Sequence, residues 1–307
     1  MYHLSVLDSR SKEWKARKGW WNISTPIGRE DLRTFWGGVS VFDPVLAELF
    51  YGWYCPPKGS IIDPFAGGPQ RHWVAKELGY SYTGIDVNPI QVQANQTFGL
   101  ETILGDSEHV LKTLDQEYDL AFSCPPYHDL EVYTDAPEDL STLDWETFVN
   151  KYTNILANTY EVLRDNRFMV LVVSEIRDCA KTRDYKIGKY KNFVGATIEA
   201  AERAGFHYYN DFIYIQPFES GAKQMNRMFK INRKVPRVHQ NILVFVKGNP
   251  DIATIDIDGP STFCCEVFGV KYRTFREAAI CIGNDVVASD VKWRCGSPSY
   301  PTYKLFI

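Results

Sequence analysis

Short runs of β-branched and aromatic residues alternate along this chain with stretches that have helical spacing. The seven runs that predict strands are SIIDPF, YSYTGIDV, ETILGD, YDLAFS, RFMVLVVSE, FHYYNDFIYIQ and QNILVFVKG. The stretches that predict helices between them cover residues 44–54, 71–78, 89–98, 145–163 and 192–204. Because strands that alternate with helices form mostly parallel sheets, the pattern predicts an α/β fold, a doubly wound Rossmann-like sheet of seven strands with helices on both faces.

Two turn signals follow the last predicted strand, Asn249-Pro250 and Gly259-Pro260. Pro and Gly dipeptides of this kind interrupt regular structure. We therefore predict an α/β domain over residues 1–248, a linker over residues 249–264 and a small helical module over residues 265–307.

Apolar residues in the predicted module have the spacing of two short helices joined at Gly283-Asn284. They are Phe275, Ala278, Ala279 and Ile282 on the first helix and Val287, Val291 and Cys295 on the second. A tight helix pair with a Gly turn is the helix-turn-helix pattern of DNA-binding proteins. The alternative is a helical hairpin that only packs on the larger domain.

Acidic residues stand at the carboxyl ends of the first three predicted strands. The first strand runs into the Gly-containing turn DPFAGGP, which begins at Asp63, while the second strand ends at Asp86 and the third at Asp106. Glycines let the backbone approach a ligand closely, and an acid at the second strand tip binds ribose hydroxyls in nucleotide-binding sheets. Since these strand ends share one edge, the acids predict a nucleotide-type ligand there; the alternative is that they coincide by chance.

The fourth predicted strand ends in SCPPY, residues Ser123 to Tyr127. Two consecutive prolines stiffen the loop and lack N–H donors, which leaves a carbonyl free as an acceptor. An ordinary turn between strand and helix would explain this segment alone. Together with the three acids before it, the segment predicts part of an active site.

The order DPFAGGP, GIDVNP, GDS and SCPPY resembles that of the S-adenosylmethionine-dependent DNA amino-methyltransferases, the N6-adenine and N4-cytosine family, over residues 42–175. The segment HDLEVYTD that follows is similar to DNA methylases of phages and mobile elements. The resemblance implies the methyltransferase form of the seven-stranded sheet and S-adenosylmethionine as the cofactor, with Asp86 on the ribose and Asp106 near the adenine. The cofactor-binding residues that it implies are Asp63, Pro64, Phe65, Ala66, Gly67, Gly68, Asp86, Val87, Asp106 and Ser107.

The catalytic residues that the resemblance implies are Ser123, Cys124, Pro125, Pro126 and Tyr127. An amino group conjugated to a ring is a poor nucleophile, so a site that accepts its hydrogens can favour a pyramidal nitrogen, while an aromatic ring stacks on a flipped base. The family has Asp, Asn or Ser before Pro-Pro, where this chain has Cys124, whose sulfur is a weak acceptor. Either Ser123 or a backbone carbonyl takes that role or Cys124 contributes little, and the target base stays open.

Three further positions bear on the expected site. Gly-Gly-Pro follows Ala66 where the family has a trio such as Gly-Ser-Gly, and Pro69 is tolerated in a first helical turn. His128 could take the amino proton or face solvent, and Glu175 could line the pocket or cap a helix. A cytosine C5 mechanism with Cys124 as nucleophile is disfavoured, because those enzymes carry the thiol after the proline rather than before it.

The formal net charge is −4 and the isoelectric point about 5.9, so any nucleic-acid surface must be local. Residues 181–240 hold twelve Lys and Arg against five Asp and Glu. The motif order that this chain shares with the family implies target recognition after the fifth strand, within residues 178–240, where this basic run lies. The module, in turn, resembles the DNA-binding repeats appended to homing endonucleases and phage enzymes. The predicted DNA-binding residues are Lys223, Arg227, Lys230, Arg233, Lys234, Arg237, Lys292 and Arg294; a solvated loop is the alternative for the basic run.

The seven cysteines form no CxxC pair, so we expect neither a disulfide framework nor a metal site. The chain has no apolar run of about 18 residues, which predicts a cytoplasmic protein without a membrane partner. The expected function is site-specific methylation of double-stranded DNA at N4 of cytosine or N6 of adenine. The alternatives are a methyltransferase for RNA or protein and an inactive DNA-binding protein with a vestigial cofactor pocket. A homodimer and a restriction endonuclease partner both stay open.

Overall fold

A computed structural model gives the fold of this chain. It describes residues 12–14, 16, 42–128, 134, 138–177, 189–215, 229–231, 233–235, 237–257, 265–268, 270–272, 282, 288–295, 299 and 303–305.

The centre of the fold is a seven-stranded sheet in the order β3-β2-β1-β4-β5-β7-β6. Its strands are β1 Ser60–Asp63, β2 Ser81–Asp86, β3 Thr102–Leu104, β4 Tyr118–Ser123, β5 Leu163–Val173, β6 His207–Ile215 and β7 His239–Lys247. β1 to β5 are parallel, whereas β7 runs antiparallel to both β5 and β6. The predicted seven-stranded Rossmann-like sheet is confirmed, and β7 is its one reversed strand.

Helices cover both faces of this sheet. They are α1 Pro44–Tyr54, α2 Gln70–Leu78, α3 Pro89–Thr97, α4 Ser107–Val110, α5 Trp145–Val162, α6 Phe193–Arg203 and α7 Pro250–Ala253. The five predicted helices are all present, with ends that differ by at most one residue from the predicted ones. Local signals explain this agreement: Asn88 caps α3 by accepting from the N–H groups of Ile90 and Gln91, and Pro89 occupies the first helical position.

Two apolar clusters lie on opposite faces of the sheet, because successive residues of a strand point to opposite sides. On β4, Ala121 belongs to the cluster that packs under α5 and α6, whereas Leu120 and Phe122 belong to the cluster under α1 and α2. Every residue of β4 is buried. The central strands therefore read as continuous apolar runs, and polar chemistry is confined to the strand ends.

Residues 249–257, the start of the predicted linker, pack against the sheet. Ala253 and Ile257 are buried in the cluster under α1 and α2, and Asp256 pairs with Arg167 of β5 at 2.6 Å. In the described part of the chain, no helix combines the length and apolar composition that a membrane crossing requires.

The described part of the predicted module contains a small antiparallel sheet and one helix. The sheet has the order β10-β8-β9, with β8 Cys265–Val267, β9 Val270–Tyr272 and β10 Tyr303–Leu305, and the helix is α8 Ala288–Cys295. α8 corresponds to the second predicted helix. Apart from Ile282, the first predicted helix lies outside the described residues, so the helix-turn-helix stays a prediction; the small sheet was not expected.

Candidate active site

The turn after β1 is organised by the buried carboxylate of Asp63. One oxygen of Asp63 accepts from the Phe65 N–H at 3.1 Å and from the Ser123 hydroxyl. The other accepts from Arg71 Nε and from the Tyr82 hydroxyl, both at 2.6 Å. With four protein donors on two oxygens, Asp63 fixes the turn; the direct cofactor contact predicted for it stays a prediction.

Arg71, in the first turn of α2, holds the same turn from the helix side. Its Nη2 donates to the carbonyls of Phe65 at 2.6 Å and Ala66 at 2.9 Å. Burial lowers the pKa of Arg71, but the adjacent Asp63 carboxylate raises it above its ordinary value, so the guanidinium stays charged. Sequence reasoning missed Arg71; the available signal was a cation at a helix N-terminus, where the helix dipole disfavours one.

Gly67 joins the turn to the second strand and to α3. It has a φ of 53°, its N–H donates to Asp86 Oδ2 at 2.7 Å, and its carbonyl accepts from Asn95 Nδ2 at 3.0 Å. An added Cβ at Gly84 on β2 would lie 2.8 Å from the Ala66 Cβ. Glycine at these two positions therefore lets the turn pack directly on β2, and Asn95 is a buried polar partner that the sequence did not reveal.

Asp86 ends β2 with acceptor capacity to spare. Its carboxylate accepts from the N–H groups of Gly67 and Asn88, at 2.7 and 2.8 Å, which uses two of its roughly four lone-pair sites. Burial raises its pKa above the ordinary value, while those two N–H groups lower it. Beside it, Ile90 is 70% exposed and Leu104, in register with Asp86, is 53% exposed. Free acceptors next to exposed apolar side chains fit the hydroxyls and flat ring of a nucleoside.

The third strand tip is tied to the first. Asp106 caps α4 by accepting from the Glu108 N–H at 3.0 Å, and it pairs with Lys151 of α5 at 2.8 Å. The buried Ser107 hydroxyl donates to the Pro64 carbonyl. Asp106 therefore lies at the predicted edge, and Lys151 is a partner that the sequence alone did not indicate. Val87, directly after β2, and Pro64 and Gly68, in the β1 turn, also lie at this edge.

The polar groups of the SCPPY loop after β4 have different hydrogen-bond partners. Ser123 is buried and its hydroxyl donates to Asp63, so this hydroxyl is engaged within the protein. Cys124 Sγ lies 3.7 Å from the Tyr127 hydroxyl. The same hydroxyl accepts from Gln240 Nε2 at 3.0 Å. Between the two acceptors considered for the role of Cys124, this arrangement favours a backbone carbonyl over Ser123. Pro125 and Pro126 separate Cys124 from Tyr127, as the sequence requires.

His128 and Glu175 both face inward. His128, with a φ of 47°, is 4% exposed and lies edge-on to the rings of Trp145 and Phe148, so it does not face solvent. Its Nδ1 lies 2.7 Å from Lys191 Nζ, and because an ammonium can only donate, Nδ1 accepts. Glu175 accepts from the N–H groups of the first two residues of α6, both at 3.1 Å, which is the helix-capping alternative.

The predicted DNA-binding residues are only partly within the described residues. Lys223 and Arg227 lie outside them, and for Lys292 only the backbone, in α8, is described; Arg294 is half-buried in the same helix. Lys230 and Arg233 are exposed, and Lys234 is half-buried. Arg237 donates to the His239 carbonyl at 3.2 Å and to Asn241. The basic run therefore enters β7 beside Gln240, at the edge that holds Tyr127.

No protein-family model matches this chain, and no sequence among the curated proteins matches it. Among solved structures it is similar to TrmN from Thermus thermophilus, with 16% identity and a TM-score of 0.41 over 67% of this chain and 49% of that chain. A methyltransferase from Pyrococcus furiosus has 13% identity and a TM-score of 0.46 over 80% of this chain and 98% of that chain. A Thermus thermophilus protein provisionally named a DNA modification methylase has 19% identity and a TM-score of 0.33 over 47% of this chain and 51% of that chain. At these identities the likeness concerns the fold alone.

Proposed function

We propose that this chain transfers a methyl group from S-adenosylmethionine to an exocyclic amino group of a base in DNA. The observation that carries the proposal is the joining of four strand tips at one edge of the sheet. Three hydrogen bonds connect them through the β1 turn: Ser123 to Asp63, Gly67 to Asp86 and Ser107 to Pro64. These hydrogen bonds join the proposed nucleoside site and the SCPPY loop at one edge of the sheet.

The nucleoside end of the cofactor fits the side of the edge formed by β2 and β3. The remaining lone pairs of Asp86 suit ribose hydroxyls, and the exposed side chains of Ile90 and Leu104 suit an adenine ring. When bound, S-adenosylmethionine supplies a methyl group on a positively charged sulfur. The β1 turn, held by Asp63 and Arg71, lies between this side and the loop after β4.

The base fits the other side of the edge, at the loop after β4. Pro125 and Pro126 offer no N–H, so the loop presents backbone carbonyls that can accept the amino hydrogens of a base. Tyr127 supplies a ring whose position is fixed by Phe193, edge-on at 5.9 Å. A base held there would have its amino nitrogen oriented by acceptors rather than activated by a strong base, which is catalysis by positioning.

DNA is favoured as the substrate by the basic segment that leads into β7. Exposed Lys230 and Arg233 alternate there with exposed Phe229 and Ile231, a combination suited to phosphates and bases. The Arg233 guanidinium lies 5.2 Å from the centre of the Phe229 ring. The predicted helix-turn-helix module would add a second DNA contact.

Tyr127→Ala tests the division of the edge into a cofactor side and a base side. We expect S-adenosylmethionine affinity, measured by calorimetry, to be unchanged, and methyl transfer to unmethylated duplex DNA to fall roughly tenfold to a hundredfold, because base stacking is lost. Tyr209→Ala, an exposed tyrosine on edge strand β6, is the matched control and should retain the wild-type rate. Wild-type turnover by Tyr127→Ala would contradict the proposal.

A further inference from the structure

The hydroxyl of Tyr127 contacts Cys124, three residues earlier in the chain, and Gln240, which is 113 residues away. Gln240, at the start of β7, donates from Nε2 at 3.0 Å, and Cys124 Sγ lies 3.7 Å away. The ring itself is edge-on to Phe193 at 5.9 Å with an interplanar angle of 67°. The tyrosine is therefore fixed at its hydroxyl as well as along its ring.

Gln240 is anchored well enough to act as a fixed point. β7 lies between β5 and β6, and Gln240 itself pairs in register with Tyr214 of β6. The adjacent His239 carbonyl accepts from Ser174 of the β5 end at 3.4 Å and from Arg237 at 3.2 Å. The amide therefore approaches the loop from a strand start that is hydrogen-bonded into the sheet.

The chemistry of the two groups fixes the direction of the hydrogen bond between Gln240 and Tyr127. An amide N–H can only donate, so the phenol oxygen of Tyr127 is the acceptor and its own hydrogen needs another acceptor. Cys124 Sγ lies within hydrogen-bond reach for sulfur. Gln240, Tyr127 and Cys124 thus form one chain of hydrogen bonds, in which the tyrosine also orients the thiol that replaces the family's Asp, Asn or Ser.

We propose that Gln240 is a positioning residue for the reaction proposed above: its amide fixes the Tyr127 ring on which the target base stacks and, through Tyr127, the thiol of Cys124. This inference rests on the proposed function for its catalytic meaning. It assigns to β7, a strand without any of the predicted motifs, a part in forming the base side of the site.

A double-mutant cycle tests whether Gln240 acts through the Tyr127 hydroxyl. Gln240→Leu and Tyr127→Phe should each lower kcat for DNA methylation about 3- to 10-fold, the range expected for one hydrogen bond. S-adenosylmethionine affinity should be unchanged, and the double variant should be no slower than either single variant. Gln93→Leu, an exposed glutamine on α3, is the matched control and should keep the wild-type kcat. Multiplying losses in the double variant would overturn the inference.

An NMR measurement tests the contact between Gln240 and Tyr127 even if the protein shows no turnover. In protein labelled with ¹³C at tyrosine Cζ, the Tyr127 resonance is identified by its absence in Tyr127→Phe. It should move in Gln240→Leu, because Gln240 donates to that phenol oxygen, and it should stay in place in Gln93→Leu, on α3. An unmoved resonance overturns the inference. A wild-type protein that methylates no DNA, with a resonance that does move, would overturn the proposed function and leave the contact established.

Discussion

At the scale of single residues, the site is held together by hydrogen bonds between side chains, several of which belong to none of the sequence motifs. Asp63 and Asp86 stand where the sequence predicted acids, but both carboxylates also anchor the backbone of the β1 turn. Arg71, Asn95 and Gln240 complete the network. None of these three belongs to a motif, because their roles depend on partners brought near only by the fold.

Arg71→Met tests the buried ion pair beneath the turn. It leaves the Asp63 carboxylate buried without its cation, which should cost about 3–5 kcal/mol in the free energy of unfolding, measured with urea. Arg203→Met removes an exposed pair with Glu199 on α6 and should cost less than about 0.5 kcal/mol. Equal losses in the two variants would show that the Asp63–Arg71 pair does not hold the turn.

Asp86→Ala tests the nucleoside side of the site. Because it removes both the Gly67 contact and the remaining acceptors, we expect S-adenosylmethionine to bind roughly 10- to 100-fold more weakly by calorimetry. Asp115→Ala, an exposed acid between α4 and β4, should bind like wild type. Unchanged affinity in Asp86→Ala would show that the ribose lies elsewhere.

His72 on α2 predicts a pH dependence of stability. Burial, followed by nearby Lys76, lowers the pKa of His72 from 6.5 to about 4, and its ring stacks on Tyr82 at 4.5 Å. As the pH falls below 6.5, His72 takes up a proton in the unfolded chain, whereas in the folded chain it stays neutral until about pH 4. The contribution of neutral His72 to the free energy of unfolding is therefore fully present above pH 6.5 and declines between pH 6.5 and about pH 4. His72→Phe should flatten that decline in urea titrations, whereas His109→Gln, at an exposed histidine, should not. An equally steep decline in His72→Phe would contradict this assignment.

At the scale of elements, the sequence predicted the helices and strands that depend on neighbouring residues, but not how the strands pair. Runs of β-branched and aromatic residues that alternate with helical spacing predicted the seven strands and five helices of the sheet domain, since each depends on neighbours in sequence. The reversed direction of β7 could not be predicted, because antiparallel pairing with β5 and β6 is a property of the assembled sheet. The contact of Gln240 with Tyr127 was hidden for the same reason: its partners are 113 residues apart.

The start of α6 offers a test at this scale. Asn192, with a φ of 58°, gives no side-chain cap, and Glu175 from the end of β5 accepts from the first two helical N–H groups instead. Glu175→Ala should therefore lower the free energy of unfolding by about 1 kcal/mol in urea titrations. Glu199→Ala, on the exposed face of the same helix, should change it by less than half as much. Equal effects would show that Glu175 does not cap α6.

At the scale of the whole molecule, an acidic protein carries a basic segment at the sheet edge that holds Tyr127. The net charge of −4 disfavours general attraction to DNA, whereas the segment from Lys230 to Arg237 enters β7 beside Gln240. Under the proposed function, DNA contact would therefore be concentrated where the target base is proposed to bind. This distribution is consistent with selective binding rather than coating of the duplex.

Identification of the methylated product tests the central claim most directly. The protein is incubated with unmethylated duplex DNA and labelled S-adenosylmethionine, and the DNA is digested to nucleosides for mass analysis. The account predicts label in N6-methyladenine or N4-methylcytosine. Label found only in RNA or protein, or no transfer at all from a cofactor that binds, would contradict it.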